Sequence, residues 1–449
     1  MKKSFLISGM FVLFCIAACQ AQTPTPIALV ATKISTVVAI ASPTLTATPT
    51  STHTPSKTAK PTNTLRPRQR TQTAVKTITP PTEAATATRA PTYTPLPIPL
   101  RNSWSSNVKQ LLPAPLYYLS GVNEHYQIWR IETDGKTKRQ ITKLGTEVRD
   151  FDISPITGEL AYSTANGIFI ADALGNNPKR ISIPGLKIDP RWDWEFFRGL
   201  AWSPIEKRLA FGYKGKLLIY DPELSSFQVI ESPSNEYGLW GPFDDAWSPD
   251  GKQMLVEIAY EGDSGGVLLM TAESKPNFQK VYVSRCGEAS WSHAGKFIYS
   301  SIAQTFQCFG PGLWRADRNS NKGLHLIDPQ FPGTLQRVTK AQEGSDGMLY
   351  YFYASIDEPP DHHFVPDFRM YRSSLDGITN RERLRSDTHQ VHEALWSPDM
   401  SLAVIVDARV QDQYKYPPFG ARKLLLLTTD NKPPIELEEY GFHLRWGKN

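Results

Sequence analysis

One phrase recurs along the carboxyl-terminal part of this chain, and it constrains the fold more than any other feature. In each copy, an apolar segment ends in Trp-Ser or a close variant, enters a Pro-Asp-Gly-type turn and continues as an alternating apolar segment. The five clear copies are DISPITGELAYST (152–164), AWSPIEKRLAFGY (201–213), AWSPDGKQMLVEI (246–258), SWSHAGKFIYSS (290–301) and LWSPDMSLAVIV (395–406). Pro and Gly at these places set a tight turn, and the alternation beside it is typical of half-buried strands. The phrase therefore predicts β-hairpins at regular intervals.

The interval between copies indicates the architecture. Counted over Ile153, Trp202, Trp247, Trp291 and Trp396, the intervals are 49, 45, 44 and 105 residues. The last interval is twice the period, and residues 335–352 fill it as a degenerate copy. A repeat of this length that contains four short strands is the blade of a β-propeller.

The two ends of the repeat complete each other. Residues 116–142 contain the last three strands of a unit, and residues 441–449 contain the first strand alone. Joined, they form one blade to which both ends of the array contribute, so that no sheet edge stays open. We therefore predict an all-β fold, a seven-bladed β-propeller with four antiparallel strands per blade, closed by the C-terminal strand. Six blades remain the alternative if residues 335–385 are not a true copy.

The repeat resembles that of the TolB-type, WD-repeat-like β-propellers of bacterial envelopes. The phrases that carry the resemblance are WSPDGKQML (247–255), LAF (209–211) and IWRIETDGKTKRQIT (128–142). The resemblance covers about 340 residues. It implies the propeller fold and a protein or peptide partner in the envelope, but the same blades also serve as accessory domains of peptidases.

The N-terminus has the pattern of an export signal with a lipid attachment site. Met1-Lys2-Lys3 is a basic start, and the apolar stretch from Phe5 to Ala18 is shorter than the ~20 residues that span a bilayer. It ends in Ile16-Ala17-Ala18-Cys19, which resembles the bacterial lipobox. We expect residues 1–18 to be a signal peptide and Cys19 to be lipidated, anchoring the chain on the extracytoplasmic side of a membrane, at the cell surface or in the periplasm. The alternative is an ordinary secretory signal cut after Ala18 or Ala21.

The segment between the signal and the repeats is predicted to be a disordered linker, residues 19–100. Residues 22–99 contain 22 threonines, 13 prolines and one aromatic residue, so they have too few large apolar groups to form a core. Residues 1–100 also hold ten Lys and Arg and one acid, which leaves 39 basic and 43 acidic residues in 101–449. The positive net charge thus belongs to the N-terminal part, and a nucleic-acid-binding face on the repeats is not supported.

Cysteine usage agrees with export. The signal contains Cys15, and Cys19 is the predicted lipid site, so the predicted propeller of residues 101–449 retains Cys286 and Cys308. A single pair in an exported domain suggests a disulfide between them. The alternative is two free thiols.

Acidic residues recur where the innermost strands enter the central channel. Three residues before each Trp position, the chain has Asp150, Gly199, Asp244, Glu288, Leu335, Glu393 and His443. In one interpretation, the four carboxylates cap backbone N–H groups or pair with Arg198, Arg337 or Arg445. In the other they form a negative ring that binds a hydrated cation or a basic peptide.

Aromatic residues are concentrated in loops assigned to the same face. The candidates for ligand contact are Trp192, Trp194, Phe196, Tyr237 and Trp240. Exposed Trp and Tyr among charged residues make recognition surfaces for peptides or sugars. The alternative is that these rings pack the loops onto the blades.

Two further patterns point to catalysis or metal binding, and we expect neither. Gly262-Asp263-Ser264-Gly265-Gly266 matches a protease nucleophile loop, but a strand and not a helix follows it, and a hairpin turn belongs there. Five histidines fall in loops of one face without metal-ligand spacing: His362, His363, His389, His392 and His443. We therefore predict a monomeric, non-enzymatic module without cofactor or metal that binds an envelope protein or peptide. The alternatives are glycan binding and a propeller-type carbohydrate-active enzyme, which would need two opposed carboxylates.

Overall fold

The computed structural model describes residues 110–448, with gaps at 122–124, 184–196, 236, 261–262, 282–287, 303–311, 321, 329, 332–333, 357–365 and 409–421. This part of the chain consists of strands, turns and loops, and it contains no helix long and apolar enough to cross a membrane. The signal segment, Cys19 and the linker lie outside the described residues, as do Cys286 and Cys308. The predicted lipid anchor and disulfide therefore stay predictions.

The first four blades follow one another along the chain. The strands of blades 1 and 2 are β1 (Leu116–Ser120), β2 (Gln127–Ile131), β3 (Lys138–Gln140), β4 (Val148–Ile153), β5 (Leu160–Thr164), β6 (Gly167–Ala171) and β7 (Lys179–Arg180). Those of blades 3 and 4 are β8 (Arg198–Trp202), β9 (Leu209–Tyr213), β10 (Lys216–Asp221), β11 (Ser226–Ile230), β12 (Tyr237–Trp247), β13 (Gln253–Tyr260), β14 (Asp263–Thr271) and β15 (Phe278–Val281).

The remaining three blades continue in the same way, and the last strand returns to blade 1. Blade 5 contains β16 (Glu288–Trp291), β17 (Phe297–Ile302), β18 (Gly312–Asp317) and β19 (Gly323–Ile327). Blade 6 contains β21 (Thr334–Glu343), β22 (Leu349–Ile356), β23 (Arg369–Ser373) and β24 (Glu382–Arg383), preceded by the short β20 (Gln330–Phe331). Blade 7 contains β25 (Val391–Trp396), β26 (Leu402–Ala408), β27 (Arg422–Thr428) and β28 (Ile435–Glu438), and β29 (Phe442–Trp446) follows.

The pairing of these strands confirms the seven-bladed propeller. Within each blade the four strands pair antiparallel in sequence order, and a single pair, Ile302 with Val338, links blades 5 and 6. Strand β29 pairs with β1, with Leu116 opposite Trp446, so it is the innermost strand of blade 1. The predicted closure by the C-terminal strand is confirmed, and the weak copy at 335–352 is a full blade.

The recurring turn has a local chemical cause. After the inner strands of blades 2, 3, 4, 5 and 7, a buried serine begins the turn. In blade 5, the Ser292 hydroxyl accepts the N–H groups of Lys296 and Phe297 at 3.0 and 2.9 Å. The backbone then folds back, and the Gly295 N–H donates to the Ser292 carbonyl at 2.8 Å. Gly295 has a φ of 66°, in the left-handed region that favours glycine. The Trp-Ser-x-x-Gly string is therefore the sequence of this turn.

The tryptophan before the serine joins neighbouring blades. In blades 4, 5 and 7, and at the equivalent Trp446 of blade 1, the indole N–H donates to a backbone carbonyl of the preceding blade's innermost strand. The pairs are Trp247–Ala201 (3.0 Å), Trp291–Ala246 (2.9 Å), Trp396–Lys340 (2.9 Å) and Trp446–Trp396 (2.8 Å). We call these tryptophans the tryptophan level. Each of these indole rings is placed at a blade interface, and its single N–H donor has a hydrogen-bond partner there, as a buried indole requires.

The core consists of apolar layers between blades. Seven clusters of buried side chains are found among the described residues, one for each pair of adjacent blades. Between blades 4 and 5, for example, Leu255 and Leu269 pack with Trp291 and Ile298. Because each central blade strand has a neighbouring blade on both faces, runs such as LAYST in β5 are buried throughout.

Candidate functional site

The innermost strands place seven equivalent residues around the channel, three positions before the tryptophan level. We call them the mouth residues: Asp150, Gly199, Asp244, Glu288, Lys340, Glu393 and His443. Six of them are the residues that the repeat predicted, but the prediction of Leu335 for blade 6 is wrong. The turn of blade 6 has Gly344 accepting from the Gly347 N–H at 3.0 Å, as Ser248 accepts from Gly251 in blade 4. This alignment places Lys340 at the position of Asp244.

A β-bulge sits at or next to most of these residues. Pairing between the first and second strands of six blades slips at the mouth, in β4, β8, β12, β21, β25 and β29. Gly199, Lys340 and His443 have φ values of 60°, 54° and 56°, in the left-handed region. A bulge re-aims a side chain away from the regular alternation of a strand. Five of the mouth residues line the cavities of the channel: Asp244, Glu288, Lys340, Glu393 and His443.

Two carboxylates bind the backbone of the next blade. Asp150 accepts the Leu200 N–H at 2.9 Å. Glu393 accepts the N–H groups of both His443 and Leu444 at 2.6 Å. These contacts satisfy backbone donors that the bulges leave without a strand partner. For these two residues, the structure shows the first of the two interpretations that the sequence allowed, namely capping of backbone N–H groups.

Arg445 crosses the channel from the closing strand. Its guanidinium contacts the carboxylate of Asp244 on blade 4 and lies 3.4 Å from that of Asp152 on blade 2. Burial acts to raise the pKa of Asp244, but the charges of Arg445, His443 and Lys340 outweigh it and lower this pKa to about 2. Burial dominates at Asp152 and raises its pKa to about 7, against the effect of Arg445. Arg445 thus ties blade 1 to two other blades.

Lys340 is a functional residue that our sequence analysis missed. Its ammonium group contacts the carboxylate of Glu288 on the neighbouring blade 5. Burial acts to lower the pKa of Lys340, but the carboxylates of Glu288, Glu393 and Asp244 raise it above its usual value. The Asp346-Gly347 pair was the available signal, because it matches Asp250-Gly251 of the strongest copy.

Two cavities of the channel adjoin the mouth residues. The upper cavity has a volume of about 490 Å³ and is lined by Tyr126, Glu147, Val148, Arg149, Asp244, Glu288, Lys340, His392, Glu393, Arg422, Phe442 and His443. The lower cavity has a volume of about 130 Å³. Asp244, Glu288, Lys340 and Glu393 line both, so this charged layer separates them. The upper cavity consequently presents carboxylates and cations together.

The histidines of the described chain do not form a metal site. His443 lies 2.8 Å from the Asp150 carboxylate, whereas His389 contacts Asp387 and Asp407 elsewhere at 3.0 and 3.3 Å. Burial and the charges of Arg422 and Lys340 lower the pKa of His392 to about 4, so this imidazole is neutral at pH 7. No group of three or more His, Cys, Asp and Glu residues in the described ranges could hold a metal ion. His362 and His363 lie outside those ranges.

The predicted aromatic contacts are separated from this cavity or lie outside the described residues. Tyr237 packs partly against the core between blades 3 and 4, and the Trp240 side chain is 38% exposed. Neither is among the residues that line the two cavities. Trp192, Trp194 and Phe196 fall in the gap at 184–196, so their role stays a prediction.

The protease-like string lies in a hairpin, as predicted. Strands β13 and β14 pair antiparallel, with Tyr260 opposite Asp263, and Ser264 lies in β14. The residue after a nucleophile elbow enters a helix, which β14 does not provide.

Comparison with known proteins finds likeness in structure alone. No family model matches the chain, and no curated protein matches it. Among solved structures, TolB from Acinetobacter baumannii is 13% identical with a TM-score of 0.42, over 76% of this chain and 68% of that one. An oligogalacturonate lyase from Vibrio parahaemolyticus is 9% identical with a TM-score of 0.48, over 73% and 86%. The tricorn protease is 14% identical with a TM-score of 0.46, over 74% of this chain and 40% of its own length.

These matches correct one prediction. We expected a non-enzymatic chain, and that expectation is wrong as an inference from the fold, because the structures that resemble it include a lyase and a protease. At such identities, the likeness does not establish an activity either. In fold, this chain is a seven-bladed β-propeller similar to the TolB proteins.

Proposed function

We propose that this chain is a membrane-anchored, extracytoplasmic binding module that recognises a peptide segment of an envelope partner at the channel mouth. The observation that carries the proposal is the lining of the upper cavity, where Glu288 and Glu393 lie beside Lys340 and Arg422. A peptide segment offers charged side chains and many backbone hydrogen-bonding groups, which such a lining matches.

The size of the cavity fits this class of ligand. Its volume of about 490 Å³ lies within the roughly 300–1,000 Å³ of typical ligand sites. Two aromatic residues, Tyr126 and Phe442, contribute to its lining. Sugar-binding sites depend on exposed aromatic faces, so a glycan is the second ligand class and belongs in the same test.

The site is tested by crosslinking and pull-down with the full-length chain, comparing wild type with Glu288→Gln/His392→Ala. We expect the double variant to lose the partner, because both side chains face the cavity. Lys216→Gln is the matched control, since Lys216 forms an exposed pair with Glu231 on blade 3. Equal partner recovery by the double variant and wild type, or loss in the control alone, contradicts the proposed site. If the wild-type chain binds a glycan array but recovers no protein, and the double variant loses the glycan binding, the ligand belongs to the second class.

The anchor is tested separately. The lipobox Ile16-Ala17-Ala18-Cys19 supports lipidation at Cys19. Cys19→Ser should release the protein from the membrane fraction into medium or periplasm. Quantitative retention of the variant in membranes contradicts the lipid anchor.

One observation favours a second candidate, cleavage of a glycosidic bond. Burial raises the pKa of Glu288, against the effect of Lys340, while the pKa of Asp244 is lowered to about 2 in the same cavity. Carboxyl groups with opposed pKa values are the pattern of a general acid and its partner. Release of reducing ends from envelope polysaccharides, abolished by Glu288→Gln, would support this candidate. The absence of any release with the wild-type chain contradicts it.

A further inference from the structure

We infer that Lys340 determines the charge preference of the channel mouth, because its ammonium group occupies the place that a cationic group of a ligand would take. The inference rests on the proposed function, in that it concerns the same cavity. It assigns the ligand class further: the part of the ligand that reaches the mouth residues is neutral or acidic, and basic side chains are excluded.

The position of the ammonium group carries the first step. It contacts Glu288, and the side chain is 15% exposed. Lys340 lines the upper and the lower cavity together with Asp244, Glu288 and Glu393. The ammonium group therefore lies within the layer where the three carboxylates converge, and not at the rim.

The backbone holds the side chain in this place. Lys340 has a φ of 54° at the bulge of β21, a left-handed conformation that is unfavourable for a residue other than glycine. Its carbonyl accepts the indole N–H of Trp396 at 2.9 Å. The neighbouring blade thus fixes the peptide unit, and the lysine remains directed at the channel.

The partners of the other carboxylates show what removal of the charge would do. Asp244 contacts Arg445, and Glu393 accepts two backbone N–H groups. Among the described residues, Lys340 is the ion-pair partner of Glu288. Without the ammonium group, Glu288 would lose this partner and the cavity would carry one positive charge fewer beside its carboxylates, so that a cationic group could take the place of the ammonium group. In wild type, a basic ligand would meet Lys340 and be repelled.

The test measures binding of tri-lysine peptide to the full-length chain at low salt, by calorimetry or NMR. Lys340→Met should bind tri-lysine at least tenfold more tightly than wild type, and tri-glutamate should gain nothing. Lys340→Arg keeps the charge and should retain the wild-type affinity. Arg149→Gln is the matched control, because Arg149 lines the same cavity and pairs with Glu147 at 2.9 Å.

The outcomes separate this inference from the proposed function. An unchanged or weaker affinity of Lys340→Met for tri-lysine overturns the role of Lys340, whatever the partner is. If Lys340→Met does not fold, Lys340→Gln carries the same test, because its amide can still donate to Glu288. Failure of Glu288→Gln/His392→Ala to affect partner recovery contradicts the proposed function and leaves the gain in tri-lysine affinity intact.

Discussion

Two levels of the same innermost strands differ in their chemistry. At the tryptophan level, Trp247, Trp291 and Trp396 each donate to a carbonyl of the preceding blade. Three residues earlier, the seven mouth residues comprise five residue types with unlike partners: backbone N–H groups, an arginine across the channel and a lysine of the next blade. The tryptophan contact can be repeated because each blade interface uses its own copy. The mouth side chains lie close together in one channel, so like charges there would repel and the residues must differ in charge.

The largest loss of stability is expected from deleting β29, because this strand carries both the mouth residue His443 and the tryptophan Trp446 of blade 1. Deletion of residues 440–449 removes β29, which leaves β1 without its inner partner and opens a sheet edge. We expect the cooperative thermal transition to disappear or fall by well over about 10 °C. Deletion of residues 448–449 alone keeps β29 and serves as the control. An unchanged melting temperature after the longer deletion contradicts closure by β29.

The next effect concerns the residue between the two levels. Arg445→Met removes the cation that pairs with the largely buried carboxylate of Asp152 and with the 61% exposed carboxylate of Asp244. Breaking a buried pair costs about 3–5 kcal/mol of unfolding free energy, and the exposure of Asp244 puts the expected loss near the lower end of that range. Chemical denaturation measures the loss. Lys423→Met removes an exposed pair with Glu436 and should cost less than about 1 kcal/mol. Equal losses for the two variants would show that the channel pair is solvated.

A smaller effect depends on pH. Asp152 has a folded pKa of about 7, above its value of about 3.9 in an unfolded chain, so the native state binds more protons between these limits. Stability is therefore lost as pH rises from about 4 to 7. Asp152→Asn keeps an acceptor for the Trp202 N–H and removes the charge. The variant should gain stability relative to wild type across this window, by roughly 2–4 kcal/mol in total.

The control for this pH dependence has the opposite sign. Hydrogen bonds from Thr379 and Ile378 lower the pKa of Asp376 in an exposed turn. Asp376→Asn should therefore lose stability relative to wild type above pH 4. Unfolding free energies measured from pH 4 to 8 compare the two. The deficit of Asp376→Asn should stay constant over this window, because the lowered pKa of Asp376 lies below it, and a flat difference for Asp152→Asn refutes the assignment.

The smallest effect tests the tryptophan level itself. Trp247→Phe keeps most of the buried ring and loses the hydrogen bond to Ala201, which should cost about 1–2 kcal/mol. Trp314→Phe is the comparison, since Trp314 is only partly buried and stacks on His325. Denaturant midpoints with unchanged slopes would measure both. A cost no larger than that of Trp314→Phe would mean that the indole bond does not stabilise the blade interface.

The candidate site was only partly predictable. Six mouth residues follow from counting back from the turn, because turn and strand are one local unit. Lys340 was missed because the blade-6 copy lacks the Trp-Ser pair, so the register was taken from Leu335. Aligning Asp346-Gly347 with the other turns would have found it. That Asp150 and Glu393 bind the next blade's backbone was one of two possibilities, and the bulges that decide it have no sequence signature.

The sequence by itself determined the propeller fold, the turn chemistry and the closure by the C-terminal strand, because alternation and Pro-Gly turns act over about ten neighbouring residues. It favoured seven blades over six, and the strand pairing of blade 6 decided between them. Only the tertiary structure decided which charges meet. Arg445 and Asp244 are 201 residues apart in the chain, and Lys340 and Glu288 belong to different blades. Their contacts depend on how the ring and the bulges bring side chains into one narrow channel, and no local pattern encodes that geometry.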